Sequence, residues 1–316
     1  RWMRVVEVPW SGRLTTKPRA LNCSLEFCRG GIIGVWDAED APAHDQIECV
    51  VARFAEAPED VVCLQGVLDY YNPRTSWLSR CFALEYASWF RVILPGIARM
   101  GMVVPLGGTT LFFRRDKLEE VGGWDAYNVT EDADLGMRLC RDGYRTEMVD
   151  TVTYEEANFR ILPWIRQRSR WLKGFMTTYA VHMREPRRLW RELGPKRFFS
   201  LQAFFVGTVG QFLLAPALWS FWLVLFGVSH PAAALVPHEA ILAVALVLFV
   251  TELLGFTVAL VAAAQSGRRY LMVWAVTLPF YYIFACFAAY KALIEAGHRA
   301  GDAAGRRIVI ELPAER

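Results

Sequence analysis

The sequence predicts an α/β domain over residues 1–160, an interfacial amphipathic helix over 161–198, membrane helices over 199–296 and a polar tail over 297–316. Three observations carry this reading. Strand-like and helix-like runs alternate through the first half, the pattern of a sheet sandwiched by helices. From Pro163 onward, Trp164, Trp171, Leu172, Phe175 and Tyr179 form an apolar stripe and Arg166, Arg170 and Lys173 a basic one, which suits a membrane interface. Of the 316 residues, 54% are hydrophobic and 21% charged, yet charges almost vanish between Phe198 and Leu293. The apolar residues are therefore segregated.

In chain order, Met3–Val8 reads as a strand, and Pro18 sits in the first turn of a helix carrying Ala20, Leu21, Leu25 and Phe27. Gly31–Trp36 reads as a buried strand that ends in Asp37, Ala38, Glu39 and Asp40. Carboxylates at the carboxyl end of a parallel strand lie where open α/β sheets bind ligands. Asp37 and Glu39 can hold a divalent cation jointly with a diphosphate; the plainer reading is a solvated acidic turn before Pro42. Next come a helix over about 45–55, a strand over Asp60–Gln65, a turn at Tyr70–Pro73 and an aromatic helix from Trp77 to Phe90. Gly107 and Gly108 precede the strand Leu111–Phe113 and let a ligand approach the backbone closely. Gly122 and Gly123 close the following helix, and another strand falls near Thr146–Val149.

Three apolar segments, about 199–228, 238–264 and 270–294, are each long enough to span a bilayer. Arg184, Arg187, Arg188, Arg191, Lys196 and Arg197 precede them and mark that side as cytoplasmic. The first loop carries no Lys or Arg and is expected outside, whereas Arg268 and Arg269 place the second inside. Pro279 is expected to break the third segment into a hairpin that stays inside. Glu252 is expected to face a polar path or a partner helix. A net charge of +3, with no basic tract interleaved with aromatics, excludes a nucleic-acid groove. The 7 cysteines form no metal pattern and read as core thiols of a reducing compartment.

Two short stretches carry the chemistry. Asn128 and Glu131 have the spacing of a capping box, which puts Asp132 in the first helical turn, where the dipole favours its ionised form. Gln167, Arg170 and Trp171 have helical spacing and can face one site. A carboxylate base on one helix and an Arg–Trp wall on another suit group transfer from a diphosphate to a hydroxyl. Taken singly, the first is more often a cap and the second an interfacial anchor.

Thr130-Glu131-Asp132 followed by Gln167-Arg168-Ser169-Arg170-Trp171 resembles the TED and QxxRW motifs of membrane-embedded family 2 glycosyltransferases, the group of bacterial cellulose, curdlan and mixed-linkage glucan synthases. Asp37-Ala38-Glu39 resembles their DxD motif with Glu as the second acid, and Thr16–Asn22 resembles their TKxxALN segment, which contains Lys17. The resemblance implies a GT-A domain and an inverting transfer of a sugar, glucose first of all, from a UDP-sugar to a β-glycan. A single-addition transferase that builds a glycolipid is the alternative, and a non-catalytic membrane scaffold is the contrasting one. It implies Asp132, with Glu131 and Thr130, as the catalytic group. Mg²⁺ or Mn²⁺ would be held by Asp37 and Glu39. Substrate contacts would come from Lys17, Gly107, Gly108, Gln167, Arg168, Arg170 and Trp171, with Arg170 on the leaving phosphate, Trp171 on the acceptor sugar, and the two glycines near the acceptor. The implied setting is a multi-pass bacterial inner-membrane protein with its catalytic domain in the cytoplasm, open to accessory export subunits. The family's leading strand, whose Asp grips uridine, has no counterpart here, and no Trp-x-Lys-Thr gating segment follows Lys291. The chain is therefore expected to be part of a longer protein and, taken alone, to grip a diphosphate without turning over.

Overall fold

The computed structural model describes residues 3–9 and 15–305. Its sheet is built from β1 (Ile32–Val35), β2 (Ala41–Pro42), β3 (Val61–Tyr70), β4 (Leu111–Arg114) and β5 (Arg145–Glu155), in the order β1-β4-β3-β5-β2. β3 and β5 pair in parallel, while β4 runs antiparallel to both β1 and β3 and β2 antiparallel to β5. β1, β3 and β5 thus point the same way, and their carboxyl ends share one rim. Every residue of β3 is buried, because helices cover both faces of this central strand.

Met3–Val8 belongs to no strand, contrary to the reading of its alternation. No described segment pairs with it, and Met3 and Val5 remain exposed; alternation makes a strand only where a ladder exists. α1 (Lys17–Leu25) starts with Pro18 in its first turn, as expected. α2 (Gln46–Glu56) packs against β5. α3 (Trp77–Ala87) has a full capping box between Ser76 and Ser79, then continues through a π-helical turn, Ser88–Ile93, into α4 (Leu94–Arg99). Its aromatics are core: Phe82 and Phe90 are buried and stack with Tyr86. α5 (Arg115–Glu120) ends at Gly122 and Gly123, both at positive φ (80 and 66°), where a side chain would be strained.

α6 (Glu131–Arg141) corrects the predicted capping box. Thr130 is the N-cap, and Asn128 Oδ1 accepts from the Thr130 N–H at 3.0 Å, closing a local turn just before the helix. α7 (Ile161–His182) carries the QxxRW residues and packs on α6 and α3.

α8 (Pro186–Leu213) is broken at Gly194, whose φ of 70° and ψ of 172° are non-helical, so that Pro195 begins its second half. α9 (Ala215–Ser220) and α10 (Trp222–Leu225) follow, then α11 (His238–Gln265), a 3₁₀ helix over Arg269–Thr277 and α12 (Leu278–Gly305). Among the described residues, two helices, His238–Gln265 and Arg269–Gly297, are long and apolar enough to cross a membrane; the pair Pro186–Leu213 and Ala215–Val224, bent by 65°, makes up to 3. The hairpin expected at Pro279 is absent. Pro279 lies in the first turn of α12, where its missing N–H costs nothing, and the 3₁₀ helix runs into α12 without reversing. The end of the expected polar tail, 306–316, lies outside the described residues.

Candidate active site

The carboxyl ends of β1, β3 and β5 meet the start of α6, and acidic groups gather there around one lysine. Lys17, at the start of α1, forms an ion pair with Asp37 and donates to the Gly108 carbonyl at 2.8 Å. Asp40 accepts from the Asp37 N–H at 2.8 Å and from the Thr109 hydroxyl. Buried glutamines hold the loops beneath. The Gly107 N–H donates to Gln65 Oε1 at 2.8 Å, and Trp36 Nε1 donates to Gln46 Oε1 at 2.7 Å, fixing the glycine turn and the acidic turn. A Cβ on Gly107 would lie 2.9 Å from the Phe90 ring, so this turn has no room for a side chain. Gly108 faces the catalytic candidate: a Cβ there would lie 3.5 Å from an Asp132 carboxylate oxygen.

Burial dominates the electrostatics. Asp132 is pushed up to about 6 by burial, against backbone N–H groups and Lys17, which pull its pKa down. Burial and then Asp132 raise Glu131 to about 7. First-turn placement was expected to favour the ionised form of Asp132; desolvation outweighs it. A carboxylate with an affinity for protons near neutrality is what a general base needs.

The TED loop is bolted to α7. Asn128 Nδ2 donates to Thr178 Oγ1 at 2.8 Å, and the Thr130 and Thr178 hydroxyls lie 3.2 Å apart. Gly174 allows the approach, since a Cβ there would fall 2.4 Å from Thr130 Cγ2. Further along, His182 Nε2 meets Asp134 Oδ1 at 2.9 Å while Arg138 Nε donates to Asp134 Oδ2 at 2.8 Å. Arg141 can only donate to His182 Nδ1 (3.0 Å), so the ring proton sits on Nε2 and points to Asp134. Gly174, Thr178 and His182 recur every fourth residue, making one stripe against α6, and Arg170 continues it by one turn toward the carboxylates.

The QxxRW residues do not all face one place. Arg170 is exposed, with no hydrogen bond or ion pair among the described residues. Gln167 accepts from Asn158 Nδ2 at 2.7 Å. Trp171 packs beside Phe82 and Tyr86, with centroids 6.3 and 6.5 Å apart. Arg168, expected among the substrate contacts, points inward. It donates to Glu85 at 2.5 Å and to the Tyr281 hydroxyl at 3.4 Å, and its guanidinium lies 5.0 Å from the Trp171 ring centroid.

Sequence reasoning missed Glu155. It ends β5 opposite Tyr70, its carbonyl accepts from the Tyr71 N–H at 3.1 Å, and burial followed by Asp40, Asp37 and Glu39 pushes it up to about 8. The rule that singled out Asp37, a carboxylate at the carboxyl end of a strand, applies to Glu155 as well. Asp40 was noted only as part of the acidic turn; its Oδ1 is buried and makes no hydrogen bond.

Among the described residues, no group of three His, Cys, Asp or Glu is arranged to hold a metal unaided. Asp37 is partly exposed, Glu39 is exposed, and Asp40 has an unpartnered buried oxygen. With Asp40, Asp37 and Glu39 raising Glu155 and Lys17 opposing them, these acids fit a divalent ion whose remaining ligands come from a bound diphosphate.

A family profile described as "Glycosyl transferase family group 2" matches residues 32–289. A β-monoglucosyldiacylglycerol synthase of Trichormus variabilis is 32% identical over 170 residues, 52% of this chain and 34% of that protein. The cellulose synthase 1 catalytic subunit [UDP-forming] of Komagataeibacter xylinus is 33% identical over 168 residues, 51% of this chain and 22% of that protein. The protein named "Probable glycosyltransferase YdaM" of Bacillus subtilis is 26% identical over 173 residues, 54% of this chain and 40% of its own length. The matches thus span well under half of these relatives. Among solved structures, a mannosyltransferase of Pyrobaculum calidifontis in complex with GDP-Man and Mn²⁺ aligns with a TM-score of 0.45 and 20% identity, covering 87% of this chain and 66% of that one.

Proposed function

The chain belongs to glycosyl transferase family group 2, and we propose that it moves a hexose, glucose first of all, from a UDP-sugar to a hydroxyl of a β-glycan, with inversion, at the cytoplasmic face of a bacterial inner membrane. The observation that supports this best is the convergence of Asp132, Lys17, Asp37 and the Gly107–Gly108 turn on one rim, with Asp132 held to α7 by Thr130 against Gly174.

In this reading Asp132 accepts the proton of the acceptor hydroxyl. That oxygen bonds to the anomeric carbon as the bond to the β-phosphate oxygen breaks on the opposite face. Glu131 and Thr130 fix the start of α6, so that Asp132 meets the hydroxyl squarely. The partly buried Trp171 leaves an edge for the acceptor sugar, and Arg170 neutralises the departing UDP. Gly107 and Gly108 give the acceptor room beside Asp132. Lys17 and Gln167 act through the loops they hold, at Gly108 and Asn158. A bound Mg²⁺ or Mn²⁺ would spread the charge of the leaving diphosphate; Asp37 and Glu39 are the residues to hold it.

A glycolipid acceptor is the second reading, favoured by an identity to the glucosyldiacylglycerol synthase, 32%, within a point of the 33% to the cellulose synthase subunit. The test supplies radiolabelled UDP-glucose to membranes carrying the protein at its native length, with and without chelator. Label in insoluble polymer supports the β-glycan, and label extracted into organic solvent supports the glycolipid. No transfer from UDP-glucose, UDP-galactose or UDP-N-acetylglucosamine would overturn the proposal, and undiminished transfer in excess chelator would remove the metal.

A further inference from the structure

A cavity of about 400 Å³ lies at the far end of α6 from Asp132, where Gly136 and Cys140 meet the start of β5, the end of α4 and the second half of α8. Arg53, Arg99, Arg145 and Arg197 line it, and Glu147 is the single carboxylate among the lining residues. Two of the cations are already committed: Arg53 pairs with Glu147, and Arg145 grips Asp60 at 2.6 and 3.0 Å. The other two are not. Among the described residues, Arg197 spends only its Nε, on the Gly101 carbonyl at 3.2 Å. Arg99 is exposed and makes no hydrogen bond or ion pair among the described residues. Two guanidinium forks with spare donors at one concave mouth are the chemistry that recognises phosphate.

We infer that this cavity binds a phosphate-bearing anion, at a site separate from that of the donor diphosphate. Its position indicates what carries the phosphate. Arg197 is the last cation before the apolar run of α8, and the Val103 N–H donates to the Ser200 hydroxyl at 3.2 Å, so the loop beside the mouth lies against the start of that run. Met100 and Phe199, 48 and 62% exposed, flank the same junction. An anionic phospholipid could seat its headgroup among the arginines and leave its chains along α8. A soluble phosphate offers the same oxygens without the chains. The inference does not rest on the transfer reading, because none of the residues assigned to transfer lines the cavity.

The experiment is native mass spectrometry of the detergent-purified protein. It is titrated separately with dioleoyl phosphatidylglycerol, dioleoyl phosphatidylcholine and inorganic phosphate, for the wild type, Arg99→Gln, Arg197→Gln and Arg187→Gln. Arg187 is an exposed cation that does not line the cavity. We expect one tightly retained phosphatidylglycerol, weakened about tenfold by Arg99→Gln and by Arg197→Gln and unchanged by Arg187→Gln, as loss of one charge-assisted hydrogen bond implies. Retention of inorganic phosphate with the same variant pattern, and without lipid preference, supports the site with a soluble ligand. Equal retention by wild type and Arg99→Gln, equal weakening by Arg187→Gln, or equal uptake of phosphatidylcholine overturns it. Arg99 makes no hydrogen bond or ion pair among the described residues that its variant would break, so the variant keeps the test decisive.

Discussion

Replacing Gly174 with alanine tests how α6, the helix proposed to carry the catalytic base, is held. The new Cβ would sit 2.4 Å from Thr130 Cγ2, 2.7 Å from its Oγ1 and 3.0 Å from its Cβ. Carbon atoms rest at about 3.5–4.0 Å, so α7 and the TED loop must part by roughly 1 Å. Overpacking of this kind costs about 1–3 kcal/mol, and alanine returns roughly 0.8–1 kcal/mol in helix propensity. Net destabilisation is therefore about 0–2 kcal/mol, a modest fall in Tm. Turnover should suffer far more. Thr130 is the N-cap of α6, so moving it moves Asp132 two residues on, and a displacement of about 1 Å can cost roughly 100-fold. Initial transfer rates, UDP affinity and Tm are measured on the same preparation; a large loss of kcat with near-normal UDP affinity is expected. Thr130→Ser removes the nearest methyl while keeping the hydroxyl that meets Thr178, so the double variant should regain part of the rate. Wild-type turnover in Gly174→Ala, or no rescue by Thr130→Ser, would refute the view that this contact sets the position of Asp132.

Other expectations follow from the same site. Asp132→Asn should lower turnover about 100-fold or more while leaving UDP binding near normal, since the amide keeps the shape and cannot take the proton; measured kcat and UDP affinity check it. In the wild type, turnover should fall as pH drops through about 6, where Asp132 gains its proton. Glu155 has its pKa raised from 4.5 to about 8, so the stability tied to its protonated form is full below 4.5 and is lost as pH rises through about 8. Glu155→Gln should accordingly gain Tm relative to wild type between pH 6 and pH 9 in chelator, and an unchanged difference would contradict the burial of a protonated acid. For topology, a cysteine at Ala234 should react with an impermeant thiol reagent from outside and one at Gly297 should not, in a background lacking native cysteines. Labelling of Gly297→Cys from outside would make α12 a plain crossing.

Much of the sheet was legible because β1 and β3 are near-continuous apolar runs bounded by turn residues, and the start of α1 because of Pro18. The run at Met3–Val8 misled because alternation reports a half-buried surface, not the neighbour that would pair with it. The capping box slipped by two residues because Asn128 spends its side chain on Thr130 and, fifty positions away, on Thr178. No local pattern could foresee that second bond. Likewise the ionisation of Asp132 depends on how completely the fold encloses it, a tertiary quantity that a first-turn position does not reveal. The hairpin at Pro279 failed for a positional reason: proline in a first helical turn starts a helix rather than breaking it.

The division of labour within Gln167–Trp171 follows from where α12 lies. Tyr281 stacks on Trp164 near the start of α7, with centroids 4.9 Å apart, and Lys173 pairs with Glu295 at 2.8 Å further along. α12 therefore runs beside α7 in the same direction, and α7 itself is fastened to the catalytic domain through Gly174, Thr178 and His182. We propose that a helix tied at both ends to one that hugs the sheet domain lies along the membrane surface, the placement that labelling of Gly297→Cys tests. Its Phe280 and Phe287 are exposed, and in that placement they face lipid. In that arrangement Arg168 sits between α3, α7 and α12, closing the Glu85–Tyr281 contact. A buried ion pair of this kind adds little to stability, but losing one partner strands a charge, so it fixes geometry. What it fixes is Trp171, whose ring lies against the Arg168 guanidinium. Arg168 therefore fixes the Trp171 ring from behind, and in the proposed reading Arg170, on the stripe that leads to Asp132, is the arginine of the motif left with donors for a phosphate.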